Sequence, residues 1–526
     1  MSRRISARSW SAATESAESP QSRTLARSSG LLGTRDRGHV SISALAVGVL
    51  LAWLMVFADA SALAAAADTN WPAGIQVVLD HTKPLQFSRG QRLPLYLWPA
   101  MNPGPLTPEK AEQLVRELDT RGVGVVCGWD WSRRDASLAE AVTVARAQQK
   151  AGLLVNVDAT ALLYSFFNGD TNTAHVDAAG RPFWDDSFGK KDMGCPFALG
   201  HRRGAIRERV EWFAAAYREQ GLRPGFVWAD WEIDGPLEWN GAWAASQRCR
   251  RCRERVPEIE NFLQFQKALR DLRADLQRDV YAAPLRARFA DVLVGNYAVN
   301  PHDGFRYWYD YFEKDAPGLP GLGDQRARYR HWAAEFEGTD FTCAMPVVYT
   351  WERLYRWYDF EPGDYRWFYN LLLEASSVGR HTPPTVPIIS FVHWHTTAPA
   401  EPPDQSVKQM SEWAYQELLW HMLLRGTDTF YLWCPPNEQA KEVQLLHPVW
   451  AAAQEHGEFL ERGVPITFDV PKRPGPVVSG LQLADRVLVR RTDFAAEEAL
   501  VELTVRGRRL RVPALAGRSQ VLELDR

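Results

Sequence analysis

Three acids alternate at the end of the stretch Phe226-Val-Trp-Ala-Asp-Trp-Glu-Ile-Asp-Gly235: Asp230, Glu232 and Asp234. Side chains on a strand alternate faces, so the three share one face, with neighbours about 7 Å apart along the chain. The apolar start, Phe226 to Ala229, predicts a buried strand, and desolvated carboxylates at its end need partners or a task. Two such groups do not titrate alike. One stays ionised, and its charge raises the pKa of the other, which then suits proton donation. That division of roles is the outline of glycosidic-bond hydrolysis.

A strand must hold these acids, and the chain supplies a series of them. Apolar runs at Leu93–Trp98, Gly124–Gly128, Leu153–Asp158, Phe226–Ala229, Val292–Tyr297, Ala344–Tyr349, Pro387–Trp394 and Thr427–Trp433 alternate with helix-period segments. Those helices are Thr107–Thr120 (with Thr107 as a cap), Ser137–Ala151, Arg203–Gln220, Pro257–Val280, Gln325–Phe336, Asp364–Ser377, Ser406–Leu424 and a last one within Glu438–Arg462. Eight strand–helix units predict an α/β fold with a parallel sheet closed into a (β/α)₈ TIM barrel. A polar and aromatic insertion from Ala159 to about Gly200 exceeds what a βα connection needs. Neither a G-x-G-x-x-G turn nor a phosphate loop is present, which counts against nucleotide binding.

After Pro465 the period changes to two. Ile466–Val470, Gly480–Arg490, Leu500–Val505, Arg508–Val512 and Val521–Leu524 read as strands of a small antiparallel, sandwich-like β-domain. The expected organisation is a targeting segment at 1–67, a catalytic barrel at 68–463 and the β-domain at 464–526.

Catalytic groups in such a barrel sit at the C-terminal strand ends. These ends carry Trp98; Asp130; Asn156 and Asp158; Asp230, Glu232 and Asp234; Asn296; Tyr349 and Glu352; His393, Trp394 and His395; and Trp433, with Glu438 just beyond. Recurrent tryptophans beside carboxylates and amides suit a carbohydrate substrate, whose rings present C–H faces to stack and hydroxyls to bond. Glu232 is the expected general acid/base and Asp230 its partner. Asn296 and Tyr349 are expected to hydrogen-bond the reacting sugar, Trp98, Trp394 and Trp433 to form platforms, and Asp234 and Asp130 to support the site. Asp130 and Asp158 could equally cap the helices that follow them. His393 and His395 flank Trp394, but no third metal ligand is visible beside them.

Asp230-Trp231-Glu232 resembles the D-W-E signature of hyaluronidase-type glycoside hydrolases, and more loosely the D-x-E of chitinase-type enzymes. Met345-Pro-Val-Val-Tyr349 is similar to the sixth-strand tyrosine segment of chitinase-type barrels, and Tyr431-Leu-Trp433 to the eighth-strand tryptophan segment. The resemblance implies Glu232 as general acid, with Asp230 orienting an N-acetyl group of the substrate that serves as nucleophile. Departures are Gly225 and Trp228, where the longer chitinase pattern has acids, and Thr350, where an Asp usually follows the tyrosine. A second reading keeps Glu232 and recruits Glu352 or Asp130 as the second carboxylate. A third is a non-catalytic carbohydrate-binding barrel.

The 526 residues, 46% hydrophobic and 24% charged with a net charge of −3, are those of a globular chain with no polyanion-binding tail. Nucleic acid is therefore not an expected partner. A Ser- and Arg-rich start, the apolar run Ile42–Ala58 and small residues to Ala67 have the order of a secretory signal peptide. The expected location is secreted or periplasmic, with membrane contact only if that segment stays as an anchor. Among the six cysteines, Cys195, Cys249 and Cys252 fall in loop-like segments where a bridge is plausible after export. Cys249-Arg-Arg-Cys252 has zinc-ligand spacing but no second pair follows, so neither metal nor cofactor is expected. Cys127, Cys343 and Cys434 read as core.

Overall fold

In the computed structural model, the described residues are 71–98, 103–163, 170–187, 192–198, 200–231, 242–304, 332–397, 406–495, 500–515 and 517–525. Glu232, Asp234, the 1–67 targeting segment and part of the 159–200 insertion lie outside them.

Eight parallel strands form where the aliphatic runs predict them, seven starting one to three residues later than expected and the fourth two residues earlier. They are β1 (Tyr96–Trp98), β2 (Cys127–Gly128), β3 (Val155–Asp158), β4 (Pro224–Ala229), β5 (Leu293–Asn296), β6 (Val347–Trp351), β7 (Ile389–Thr397) and β8 (Thr429–Trp433). β2-β3-β4-β5 make one four-stranded sheet and β1-β8-β7-β6 another. Further hydrogen bonds run between the sheets. Leu95 forms a parallel bridge to Val123, and the Val294 carbonyl accepts from the N–H groups of Thr342 and Cys343. One continuous apolar core lines both sheets, with Trp129, Trp228, Trp231, Trp351 and Trp450 fully buried in it.

The longer helices are α1 (Ala73–His81), α2 (Pro108–Asp119), α3 (Arg134–Lys150), α4 (Gly200–Glu219), α5 (Phe262–Gln277), α6 (Gly363–His381), α7 (Glu412–Leu423) and α8 (Gln439–Ala453). Their starts follow cap chemistry. Thr107 accepts from the Lys110 N–H at 3.3 Å as expected, Asn261 caps α5 and Ser411 caps α7. Caps also explain two trimmed helices: Asn261 starts α5 beyond Pro257, and Ser411 starts α7 beyond Ser406. Among the described residues no helix is long and apolar enough to cross a membrane.

The C-terminal segment is antiparallel as expected, with a different strand division. β9 (Val464–Pro465), β10 (Pro476–Leu483), β11 (Arg486–Asp493) and β14 (Ser519–Glu523) pair in the order β9-β10-β11-β14, and β12 (Leu500–Val505) pairs with β13 (Arg508–Pro513). The run Gly480–Arg490, expected as one strand, is two strands joined by a tight turn. Ala484 there adopts φ 55°, a left-handed conformation that an alanine does not advertise. Ile466–Val470 is not a strand; only the Ile466 N–H bonds across, to the Gly480 carbonyl.

Buried polar groups join β10 and β11 to α7. Glu417 accepts from the Arg490 guanidinium and, at 2.5 Å, from the Thr492 hydroxyl. Because Thr492 donates to Glu417, it accepts from His421 Nε2, 2.9 Å away, and Nδ1 then accepts from Ser479 at 2.7 Å. His421 is thus a neutral Nε2–H imidazole. Burial, with Arg425 and Arg490 nearby, pushes its pKa well below the usual histidine value. Burial lowers His447 and His456 in the same direction. The unfolded chain takes up protons that these folded histidines refuse, so their contribution to stability is intact above about pH 6.5 and is lost as pH falls. His395, whose pKa is raised by its hydrogen bond to Glu442, opposes this trend. Urea unfolding between pH 8 and 5 is expected to show a fall approaching about 1.4 kcal/mol per pH unit for each titrating histidine. His421→Gln should flatten the slope; an unchanged slope would assign the effect elsewhere.

Candidate functional site

The strand-four acids begin just beyond β4, and the backbone there is fastened from three sides. The Asp230 N–H donates to Thr160 Oγ1 at 2.8 Å. The Trp231 N–H donates to Asn296 Oδ1 at 2.8 Å, and Asn296 Nδ2 returns a bond to the Trp231 carbonyl at 3.1 Å. Arg273 on α5 donates to the same carbonyl at 2.9 Å and pairs with Glu335 at 2.8 Å, both side chains buried. Trp231 is packed into the core, and Asp230 is only 5% exposed. The β4 end is therefore a rigid platform immediately preceding Glu232.

Beside it lies a row of rings from the ends of β1, β8, β6 and β7. Trp98 stacks on Trp433 at 6.5 Å, and Trp433 on Tyr349 at 5.7 Å. His393 stands edge-on to Tyr349 at 5.8 Å and to Trp433 at 5.2 Å. Trp98 also meets Trp228 edge-on at 5.7 Å. Its indole N–H donates to Asp158 at 3.0 Å. Burial raises the Asp158 pKa, and the bonds from Thr160 and Trp98 partly offset this. Asp158 also accepts from the Thr160 N–H at 2.8 Å, so the capping role and a place beside the rings coexist.

Other expected residues stand as follows. Asp130 accepts from the Ser132 N–H at 2.9 Å and from its hydroxyl at 2.7 Å, which is the capping role. Glu352, 7% exposed, begins a short turn right after β6. The Trp394 indole donates to the Met410 carbonyl at 2.8 Å, with the Lys441 ammonium 5.8 Å from its ring; Trp394 is thus tied to the segment before α7 and is not in the Trp98–Trp433–Tyr349 row. Asn296 was expected to bond a sugar. It is fully buried, and its amide is engaged by Trp231, which makes it a positioning residue for the β4 end. Asn296→Ala strands a buried N–H and is expected to cost about 1–3 kcal/mol. Urea unfolding checks this, with an unchanged midpoint counting against it.

No family model and no curated sequence matches the chain. Among solved structures it is similar to alpha-L-fucosidase isoenzyme 2 from Paenibacillus thiaminolyticus, at 11% identity over 72% of this chain and 51% of that one, with a TM-score of 0.40. It is similar also to a beta-galactosidase from the haloarchaeon Halorubrum lacusprofundi, at 13% identity over 71% of this chain and 59% of that one, TM-score 0.43. Bee venom hyaluronidase overlaps at 14% identity over 51% of this chain and 81% of that one, TM-score 0.29. The chain spans between half and three-fifths of the length of the first two. Overlaps this loose leave the chemistry to be argued from the residues.

Two clusters brought together by the fold are not apparent in the strand-end reading. Glu438 and Glu442, four apart at the start of α8, meet the two β7 histidines. His393 Nε2 lies 2.7 Å from Glu438 and His395 Nδ1 2.8 Å from Glu442, which also accepts the Trp394 and His395 N–H groups. The four donor atoms lie within 4.8 Å of one another, so the fold brings two carboxylates to the histidine pair, and their hydrogen bonds bracket the end of β7. An i, i+4 pair of glutamates just after the last strand was the cluster's signal in the sequence. The second cluster unites His175 and Cys195 with Cys249 and Cys252, all buried. A search for a second C-x-x-C misses it, because the remaining donors come singly from the insertion.

Proposed function

We propose that the chain is a glycoside hydrolase whose two parallel sheets close into one (β/α)₈ barrel, with its cleft at the C-terminal strand ends. The observation that carries this reading is the buried carboxylate of Asp230, at the end of a β4 clamped by Thr160 and Asn296 and beside the Trp98–Trp433–Tyr349 row. A nearly buried acid costs free energy that a purely structural strand end need not incur. Rings plus carboxylates suit a sugar's C–H faces and hydroxyls. Glu232 is the general acid/base. Asp230 either orients a substrate N-acetyl group or stabilises charge on the reacting sugar, while Trp98 and Trp433 stack on it. Asp234 supports the site. The 1–67 segment directs export, as a cleaved signal or a retained anchor, and the β-strands from 464 onward form an accessory domain.

Glu352, buried at the end of β6, favours a second reading in which it is the partner carboxylate of Glu232. The test is hydrolysis of a panel of polysaccharides and aryl glycosides, with the anomeric form of the first product read by NMR. Turnover restricted to N-acetylated substrates with retention supports the substrate-assisted route. Turnover of plain sugars that is lost in Glu352→Gln supports the second. Binding without turnover across the panel overturns both and leaves a carbohydrate-binding barrel.

A further inference from the structure

We propose that His175, Cys195, Cys249 and Cys252 bind one structural zinc ion, independently of any hydrolysis at the strand ends. Their four ligand atoms lie within 4.8 Å of one another, and all four residues are buried. Cys195 Sγ is 3.5 Å from Cys252 Sγ and 3.8 Å from Cys249 Sγ, and Cys252 Sγ is 3.9 Å from His175 Nδ1. A tetrahedral ion with Zn–S bonds of about 2.3 Å separates its sulfurs by about 3.8 Å. These three edges are thus within a few tenths of an ångström of that separation, and the other three are no longer than 4.8 Å. Three soft thiolates and one imidazole are a common zinc set, and a closed set of four leaves no open position for catalysis. Binding takes the three thiol protons to solvent and leaves a complex of formal charge −1. The adjoining Arg250 and Arg251 supply positive charge, and Arg251 also donates to the Ala174 carbonyl at 3.0 Å.

The local backbone is built to bring the donors in. His175 opens a two-stranded hairpin, His175–Val176 with Pro182–Phe183, and its ring stacks on Phe183 at 5.1 Å. The Cys195 N–H donates to the Thr173 carbonyl at 2.7 Å. At Gly194 a Cβ would stand 2.4 Å from that same carbonyl oxygen, so only glycine lets the two segments close. Cys249 sits at the break between the short helices Trp243–Arg248 and Arg250–Arg255, and Cys252 lies in the second. The apolar cluster around them is small and separate from the main core: Val256, Ile259, Phe262, Phe265, Leu269 and Trp332. So little apolar surface is a weak anchor alone, and a metal supplies the missing cross-link. A disulfide satisfies only two of three cysteines, and the three sulfurs are arranged around a common centre. The ion ties the insertion after β3 to the two short helices Trp243–Arg248 and Arg250–Arg255, which follow the strand-four acids in sequence.

The test is metal analysis of the purified full chain, followed by cobalt(II) exchange. The expected result is one zinc per chain, released by a thiol-specific mercurial, and a tetrahedral cobalt spectrum with thiolate charge-transfer bands. Cys249→Ser is expected to hold less than about one tenth of the wild-type zinc. His175→Cys should retain it, with a strengthened charge-transfer band, which separates loss of a ligand from loss of the fold. Purified chain without zinc that takes up no cobalt overturns the proposal. So does a disulfide between two of the three cysteines found by mass spectrometry, or iron in place of zinc.

Discussion

Glu232→Gln is expected to lower kcat/KM on an unactivated glycan by about 10²–10⁴-fold, the usual contribution of a positioned general acid. Glutamine keeps the shape of the side chain and removes its proton, so KM should move little. The loss should depend on the leaving group. An aryl glycoside whose phenol leaves without protonation needs less help, so its cleavage step should suffer far less than that of an alkyl glycoside. Asp230→Asn then separates the mechanisms. If Asp230 orients an N-acetyl nucleophile, the loss is large even on aryl substrates, because nucleophilic attack itself is affected. A Glu232→Gln enzyme with wild-type turnover on every substrate would place the chemistry at another strand end, with Glu352 and Asp158 next to be tested.

Glu417→Ala is expected to cost about 3–5 kcal/mol, the range for removing one partner of a buried ion pair. The Arg490 and Glu417 side chains are 8% and 4% exposed. The substitution leaves a guanidinium without its carboxylate, and a Thr492 hydroxyl without the acceptor that fixes the tautomer of His421. Urea unfolding gives the magnitude. The double variant Glu417→Leu/Arg490→Met should recover most of the loss, since an uncompensated charge, more than the lost attraction, sets the cost. A loss below about 1 kcal/mol would mean that water reaches Arg490 and the pair behaves as a surface one.

The strands and their order were legible because each is a short apolar run ended by aromatic and polar residues, and Thr107 announces its cap by type and place. Other features depend on partners far away in sequence. Asn296 looks like a substrate amide until Trp231 is seen to engage both of its ends. His175 and Cys195 are unremarkable singly and become donors only when Gly194 lets two segments of the insertion touch. The Ala484 turn was hidden because a left-handed alanine lacks the Asn-Gly or Asp-Gly signal of a two-residue hairpin.

The change of hydrophobic period near residue 464 invites a cut there, as if two modules had been joined end to end. The seam is wired otherwise. Arg425 is fully buried on the helical side, and it donates to Ser479 Oγ and to the Asp469 and Val478 carbonyls on the other. A chain stopped at Gly463 would expose that cation and His421 beside bare apolar helix. The β-strands would in turn lose the carboxylate that neutralises Arg490. The two parts are therefore expected to unfold as one piece: a shortened chain should be recovered as aggregate, and the strands alone should not serve as a portable tag.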